Sequence, residues 1–275
     1  MKKFTVCDKT SLKEFTDSAY PQGSFVFRTL LKKGDIRVNG IKVKENVALN
    51  KGDEVVYYTT SAQEGAKSHT VVYEDENLLI ADKFSGVTSE GLFCELAPLR
   101  PVHRLDRNTC GLIVLAKTEN VERELIEAFK HRRVGKTYLC LAKSAFKKES
   151  DILTAYLKKD AGSSIVKIFA RDCGGCDKII TEYKVLKDSG DICEVEVKLH
   201  TGKTHQIRAH LSSIGCPVLG DEKYGDKDLN DKYSARRQVL IAKYLKFDLS
   251  GELSYLNGKV FESAFSPNLP DGSAI

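Results

Sequence analysis

The sequence has no long apolar run, no internal repeat and no low-complexity segment. A membrane-spanning helix needs about eighteen consecutive apolar residues, so we expect no transmembrane segment. The chain also reaches Asp8 before the apolar region of a signal peptide could form. These absences predict a protein that stays in the cytoplasm.

The clustered cysteines that would mark a disulfide framework are also missing. The eight cysteines are scattered through 275 residues, a distribution typical of reduced thiols. One CxxC pair, Cys173 and Cys176, could form a redox centre or half of a zinc site, but no second pair follows at zinc-ribbon spacing. Because Gly174 and Gly175 separate the pair, and the strand–CxxC–helix context of a redox enzyme is absent, we interpret the segment as a loop.

The composition, 41% hydrophobic and 29% charged residues, is that of a globular protein with one large core or two unequal domains. The net charge of +5 is unevenly distributed, because residues 1–60 hold eleven Lys and Arg against seven Asp and Glu. A basic head on a nearly neutral body suggests a module that grips a polyanion. An excess of this size is also common surface variation, so charge alone does not identify a partner.

Residues 1–58 have the pattern of a small α+β unit. A helical stretch over 25–33 ends at Gly34, and short strands then flank Asn39-Gly40, a strong signal for a tight hairpin. The basic residues of this helix and hairpin are Arg28, Lys32, Lys33 and Arg37. Residues 59–70 are small and polar and predict a linker to a second domain, 71–275.

The second domain mixes many strand-like runs with few helical ones. This mixture predicts an α+β domain around a mixed, mostly antiparallel sheet. One helix is expected after a Thr118 cap, and another after a Thr204 cap. The strand-like runs are 78–81, 112–116, 136–142, 181–186 and 193–199.

The segment RPVHRLDRNTCG, residues 100–111, places Asp106 between Arg104 and Arg107 just before an apolar strand. Two neighbouring guanidinium groups should lower the pKa of the carboxyl and keep it ionised. An ionised carboxylate suits a nucleophile or a base better than a general acid. A structural Arg–Asp cluster in a loop is the alternative.

The segment HTGKTHQIRAH, residues 200–210, is the second candidate site. A capped helix start here could surround an anion with first-turn amides and with Lys203, His205 and Arg208. The alternative is an ordinary helix with a solvated basic face. His205 and His210 lack the i, i+4 spacing of a helical zinc pair, so we expect no metal.

The segment RRVGKTYLCLAK, residues 132–143, is the third candidate. Alternation along a strand puts Lys136 and Tyr138 on one face. A lysine beside a tyrosine can hold a phosphate and stack on a base. On its own, the pattern also fits a half-buried strand without such a role.

Together and in this order, these segments resemble the RluA family of pseudouridine synthases, over about residues 71–247. The head resembles the S-four RNA-binding domain, named for a small-subunit ribosomal protein and a frequent companion of this catalytic domain. Such heads grip folded RNA by phosphate and shape contacts. The matching segments are Leu78–Lys83 with Gly86, HRLDR at 103–107, KTY at 136–138, TGKTHQIR at 201–208, and Gly220-Asp221 with Tyr224-Gly225.

The resemblance implies the isomerisation of uridine to pseudouridine in RNA, with no metal or organic cofactor. Asp106 would be the essential catalytic carboxylate, acting on a nucleotide that has left its stack. Arg104 would fill the vacated space, Tyr138 would stack on the flipped base and assist proton movement, and Arg208 would pair with Asp106.

The sequence departs from the family pattern at several positions. Cys110 replaces the usual Ser, Phe84 replaces the usual Pro, and Lys203 replaces the usual Arg, which reduces a two-pronged phosphate contact to a point charge. Only sixteen residues separate Gly86 from His103, which shortens a substrate-contacting segment.

We therefore predict a cytoplasmic, monomeric RNA pseudouridine synthase that acts on structured ribosomal or transfer RNA. A non-catalytic RNA-binding or assembly factor on the same fold is the alternative. The predicted catalytic residues are Asp106, Tyr138 and Arg208, and the predicted RNA-binding residues are Arg104, Arg107, Lys136, Lys203, His205, Arg28, Lys32, Lys33 and Arg37.

Overall fold

The head is built on a four-stranded antiparallel sheet beside a two-stranded pair. The computed structural model describes residues 1–65, 67–160 and 165–272. The elements of the head are β1 (Lys2–Thr5), β2 (Thr10–Ser11), α1 (Leu12–Ala19), α2 (Pro21–Phe25), α3 (Phe27–Lys33), β3 (Ile36–Val38), β4 (Ile41–Val43), β5 (Ala48–Leu49) and β6 (Glu54–Tyr57). The strand order of the four-stranded sheet is β1-β6-β3-β4, and β2 pairs with β5.

Local signals in the sequence set the ends of these elements. The side chains of Ser11 and Glu14 cap α1 reciprocally, and Gly34 ends α3 in a left-handed conformation with φ of 71°. Asn39 and Gly40 have φ of 50° and 81°, which confirms the predicted hairpin. The helix expected over 25–33 is instead two helices, because Val26 leaves the helical conformation between α2 and α3.

The segment predicted as a linker contains a short helix, α4 (Ser61–Glu64). Thr60 caps this helix, and the hydroxyl of Tyr20 bonds to Thr59 at 3.1 Å and to Glu64. The connection is therefore packed against the head. Ala66 lies outside the described residues, and the domain boundary remains a prediction.

The remaining strands form an eleven-stranded sheet. The elements are β7 (His69–Glu74), β8 (Leu78–Lys83), α5 (Ser89–Glu95), β9 (Arg100–Pro101), β10 (Cys110–Ala116), α6 (Glu119–Lys130), β11 (Val134–Lys143), β12 (Ser150–Lys159), β13 (Val166–Phe169), β14 (Asp177–Asp188), β15 (Ile192–Leu199), α7 (Gln206–Ser213), α8 (Lys227–Lys232), β16 (Leu240–Phe247), a 3-10 helix (Gly251–Leu256) and β17 (Val260–Glu262). The strand order is β13-β12-β14-β15-β11-β16-β10-β8-β7, to which β9 and β17 are attached. Strands β10 and β16 pair in parallel, and the other pairs in the described part of this sheet are antiparallel. The predicted mixed, mostly antiparallel α+β fold is confirmed.

The centre of the large sheet is buried on both faces. Along β10, Ile113 and Leu115 belong to one apolar cluster and Leu112 and Val114 to the other. This alternation follows from the two-residue period of a strand. Helix α6 covers the Leu112 side, while α5 and α7 contribute to the Ile113 side, where the loop between β9 and β10 also packs.

Two further findings concern sequence expectations. Cys173 and Cys176 lie in the loop between β13 and β14, as predicted, with their sulfur atoms side by side. The described helices include none that is both long and apolar enough to cross a membrane.

Candidate active site

A cavity of about 740 Å³ lies where the three candidate segments meet, beside β11 and the start of α7. Its lining includes seven of the predicted site residues. Those that the structure leaves outside this lining are Arg107, Arg28, Lys32, Lys33 and Arg37. The seven in the lining are Arg104, Asp106, Lys136, Tyr138, Lys203, His205 and Arg208.

We define the cavity floor as the three linked charges Asp106, Arg208 and Asp221 together with the neutral Tyr138. The Arg208 guanidinium donates from Nη1 to Asp106 Oδ2 at 2.8 Å. It also donates from Nε and Nη2 to the two oxygens of Asp221, at 2.6 and 2.9 Å. Because the Arg208 and Asp221 side chains are only 6% and 0% exposed, this geometry is fixed in a nearly dry environment.

The electrostatics of the floor favour charged partners. Burial alone would lower the pKa of Arg208, but hydrogen bonds and attraction from Asp221 and Asp106 outweigh it and raise that pKa. Burial would likewise raise the pKa of Asp221, yet Arg208 and two backbone amides lower it overall. The floor therefore holds a charged Arg208 that orients Asp106.

The arginines adjacent to Asp106 in sequence do not pair with it. Arg104 instead pairs with Glu90 at 2.8 Å, and its side chain is 70% exposed. Arg107 turns away from the cavity and donates to the carbonyl oxygens of Gly86 at 3.0 Å and Phe25 at 3.3 Å. The prediction that these two guanidinium groups flank the carboxylate is wrong, because adjacent side chains of this loop point in different directions.

His103 anchors the loop that carries Asp106. Its Nε2 accepts a hydrogen bond from the Val114 amide at 2.9 Å, and its ring stacks on Phe129 with centroids 4.5 Å apart. Burial lowers the pKa of His103 to about 3. The ring is therefore neutral and structural.

Tyr138 and Lys136 both line the cavity, as their shared strand face predicts. Burial, together with the charge of Asp106, raises the pKa of Tyr138, so its hydroxyl stays protonated. Burial lowers the pKa of Lys136, whose Nζ lies 5.6 Å from the centroid of the Phe129 ring. The salt bridges of the described residues include none to Lys136, which leaves its charge available to a ligand.

The start of α7 differs from its prediction. The cap position belongs to His205, which has a left-handed φ of 56° and makes no side-chain cap, so the predicted Thr204 cap is wrong. Gln206 supports the turn instead, because its Oε1 accepts bonds from the Lys203 amide at 3.1 Å and from the Thr201 hydroxyl at 2.9 Å.

The three cations expected around an anion here already have other neighbours. Lys203 pairs with Asp177 at 2.6 Å, and Arg208 binds the two floor carboxylates. His205 Nε2 lies 4.0 Å from Asp106 Oδ2, and burial lowers the pKa of His205. We call the exposed pairs around the opening the cavity rim: Arg104–Glu90, Lys203–Asp177 and His200–Glu182.

Two residues of the site escaped sequence reasoning about chemistry. Asp221 and Tyr224 were noted only as part of a matching segment. The Tyr224 hydroxyl accepts from the Val166 amide at 2.8 Å and lies 2.9 Å from His205 Nδ1. This contact holds the His205 ring with its Nε2 on the side of Asp106. The sequence signal that could have identified both residues is the spacing of Gly220-Asp221 and Tyr224-Gly225.

The remaining predicted RNA-binding residues lie on the head. Arg28 reaches the large sheet's side of the molecule and pairs with Glu222 at 3.0 Å. Lys32 and Lys33 are exposed in the last turn of α3. Arg37 lies on β3 with its guanidinium 5.1 Å from the centroid of the Tyr58 ring.

Comparison with known proteins identifies the family. A family model described as RNA pseudouridylate synthase matches residues 77–213. An uncharacterized RNA pseudouridine synthase of Aquifex aeolicus is 32% identical, with 80% of this chain and 78% of that protein covered. The chain belongs to the RNA pseudouridylate synthase family. Its resemblance to the RluA branch is confirmed, and the enzyme is favoured over the non-catalytic factor considered from sequence.

Two other similarities support this membership. Ribosomal large subunit pseudouridine synthase C of Vibrio cholerae is 31% identical to this pseudouridine synthase, with 78% of this chain and 75% of the relative covered. The solved structure of human RNA pseudouridylate synthase domain containing 1 is 25% identical, with a TM-score of 0.61. That match covers 74% of this chain and 85% of the human one.

Proposed function

We propose that this enzyme isomerises specific uridines of large-subunit ribosomal RNA to pseudouridine, with Asp106 as the catalytic carboxylate. The relatives in Vibrio cholerae and Escherichia coli, both named ribosomal large subunit pseudouridine synthase C, support this substrate. The observation that carries the role of Asp106 is its hydrogen bond from buried Arg208 in the cavity floor. Transfer RNA is the other structured substrate that the sequence allows.

In the proposed reaction, the bond between uracil N1 and ribose C1′ breaks, the uracil turns, and C5 bonds to C1′. The C5 proton then leaves and N1 gains one, so the nucleotide keeps its composition and oxidation state. Arg208 donates to Asp106 Oδ2, while Asp106 Oδ1 has no hydrogen-bond partner among the described residues. That oxygen is therefore positioned to act as the nucleophile or base.

The target uridine must leave its stack to reach the floor. Tyr138 would stack on the flipped base, and its protonated hydroxyl would take part in proton movement. Arg104 has the exposure needed to leave Glu90 and enter the gap in the RNA. Lys136 would contact a phosphate, as would the basic residues of the head.

The test expresses either the wild type or Asp106→Asn in cells that lack the gene. Pseudouridines are then mapped in the ribosomal and transfer RNA of both strains. We expect Asn to abolish turnover and leave RNA binding nearly unchanged, because it keeps the shape and removes the ionised group. Asp188→Asn, at an exposed carboxylate bonded to Ser144, is the matched control. Turnover by Asp106→Asn at the wild-type rate would contradict the role of Asp106.

A further inference from the structure

The head touches the large-sheet part of the molecule next to the loop that carries Asp106. Phe25, the last residue of α2, is buried in the same apolar cluster as Val87, Leu92 and Leu105. The Ser24 hydroxyl lies 3.0 Å from the Thr88 hydroxyl, at the start of α5. The head is therefore docked through a defined contact between α2 and α5.

A glycine makes this close approach possible. A β-carbon at Gly91 of α5 would lie 3.1 Å from the Ser24 hydroxyl oxygen and 3.3 Å from a ring carbon of Phe25. It would also lie 2.9 Å from the hydroxyl oxygen of Thr88. A side chain at this position would crowd Thr88, Ser24 and Phe25, so these groups would have to shift.

The same turn of α5 holds the residue before Asp106. The Ser89 hydroxyl donates to the Leu105 carbonyl oxygen at 2.8 Å and accepts from the Leu105 amide at 3.0 Å. Thr88, which touches the head, caps the helix by accepting from the Gly91 amide at 3.1 Å. One helical turn thus contacts the head on one side and the catalytic loop on the other.

Arg107, the residue after Asp106, contacts the head directly. Its guanidinium donates to the Gly86 and Phe25 carbonyl oxygens, and its own carbonyl oxygen accepts from the Gly86 amide at 2.9 Å and from Lys83 Nζ at 3.1 Å. Leu105 is therefore held by the turn of α5 that touches the head, and Arg107 bridges the head at Phe25 and the turn after β8 at Gly86.

We propose that Arg107 is a positioning residue that couples docking of the head to the placement of Asp106, and that it does not contact RNA phosphate. This inference rests on the proposed role of Asp106. The planar guanidinium can donate to two carbonyl oxygens at once, which an ammonium group cannot reproduce in the same geometry. Loss of this bridge would free the loop that carries Asp106. Misplacement of a reacting group by about 1 Å slows a reaction by up to about a hundredfold.

The first test measures the single-turnover rate at saturating RNA and the Kd for the same RNA in Arg107→Ala and Arg107→Lys. We expect both variants to react at least about tenfold slower, with Kd within roughly twofold of the wild type. A phosphate contact would give the opposite result: Kd would rise in Arg107→Ala with a normal saturating rate, and Lys would restore binding. Arg236→Ala, at an exposed arginine paired with Asp231, is the control.

The second test approaches the same coupling from α5. Gly91→Ala suits a helix better than glycine does, so α5 should still form, while the added methyl group disturbs the contact with Ser24 and Phe25. We expect a slower saturating rate with unchanged Kd, and a double variant with Arg107→Ala that is no slower than the worse single variant. Losses that multiply, or a Gly91→Ala enzyme with full activity, would overturn the coupling.

Two further measurements keep the outcomes distinct. Gly65→Ala is the glycine control, since a β-carbon there meets only the Ser61 carbonyl oxygen at 3.4 Å. Thermal unfolding of each variant establishes that it is folded when assayed. Absence of pseudouridine with the wild type would contradict the proposed function, whereas a fully active Arg107→Ala would contradict only the coupling.

Discussion

The floor and the rim of the cavity both contain ion pairs, but the two regions differ in burial. In the floor, the side chains of Arg208 and Asp221 are 6% and 0% exposed, whereas Arg104 and Glu90 of the rim are 70% and 46% exposed. Exposed pairs contribute about 0–1 kcal/mol, while removal of one partner from a buried pair costs about 3–5 kcal/mol. The floor therefore fixes geometry, whereas the ion pairs of the rim can open at little cost in free energy.

The largest effect should follow a change to the buried side of the floor. Asp221→Asn leaves Arg208 with one of its two carboxylates, so we expect a loss of about 3 kcal/mol in the free energy of unfolding. Misplacement of Arg208 should also lower the single-turnover rate by about a hundredfold. Denaturant unfolding and rate measurements test both, with Asp231→Asn at an exposed Asp–Arg pair as control. Equal effects of the two substitutions would remove the distinction between floor and surface.

The second effect is a dependence of stability on pH that comes from His103, which anchors the loop carrying Asp106. The pKa of His103 is about 3 in the folded protein against an ordinary value of 6.5, so the unfolded chain binds more protons between these values. The free energy of unfolding should therefore fall as pH falls through this window, by up to about 1.4 kcal/mol per pH unit from this group. His103→Gln should reduce that slope, measured by urea unfolding, whereas exposed His131→Gln should not.

Lys136 should have the third largest effect, because it lies between the two regions in burial and has no carboxylate partner among the described salt bridges. Lys136→Met should weaken RNA binding by roughly tenfold, as expected for one charged hydrogen bond. The slope of binding against salt should fall by about one unit. Exposed Lys147→Met serves as the control. An unchanged salt slope would show that Lys136 does not bind phosphate.

The smallest effect should come from the rim. Lys203 is already paired with Asp177, so Lys203→Met should change RNA affinity by only about twofold. Asp177→Asn should strengthen binding slightly, because it releases Lys203 for phosphate. The contradicting result would be a loss of RNA affinity in Lys203→Met equal to that in Lys136→Met, measured by salt-titrated binding. Rim and buried cations would then contribute equally to RNA binding.

Local patterns predicted the elements well where one physical signal dominated. Thr118 caps α6, Gly34 ends α3, and Asn39-Gly40 forms the hairpin, since each depends on a few adjacent residues. The Thr204 cap failed because Gln206 supports that turn, and Gln206 is itself held from inside the structure by bonds from its Nε2 to the Ile180 carbonyl oxygen and the Thr181 hydroxyl. These partners on β14 are brought to Gln206 by the fold and have no local signature.

The candidate site shows the same difference between features set by neighbouring residues and features set by the fold. The two-residue strand period put Lys136 and Tyr138 on one face of a strand, and both residues line the cavity. The partner of Asp106 could not be found from its neighbours, because Arg208 lies 102 residues further along the chain and the adjacent arginines point elsewhere. Only the resemblance to a family supplied that pair. The direction of Arg107 toward the head depended on the docking of α2, which composition does not encode.

The parallel pairing of β10 with β16 has a consequence for synthesis of the protein. Strand β16 begins at Leu240 and lies between β10 and β11, so the middle of the sheet cannot close until Leu240 and the residues after it have left the ribosome. Until then β10 and β11 each present an open edge that can pair with other chains. The nascent enzyme should therefore be inactive until β16 has emerged, and a chain interrupted before residue 240 should aggregate instead of modifying RNA.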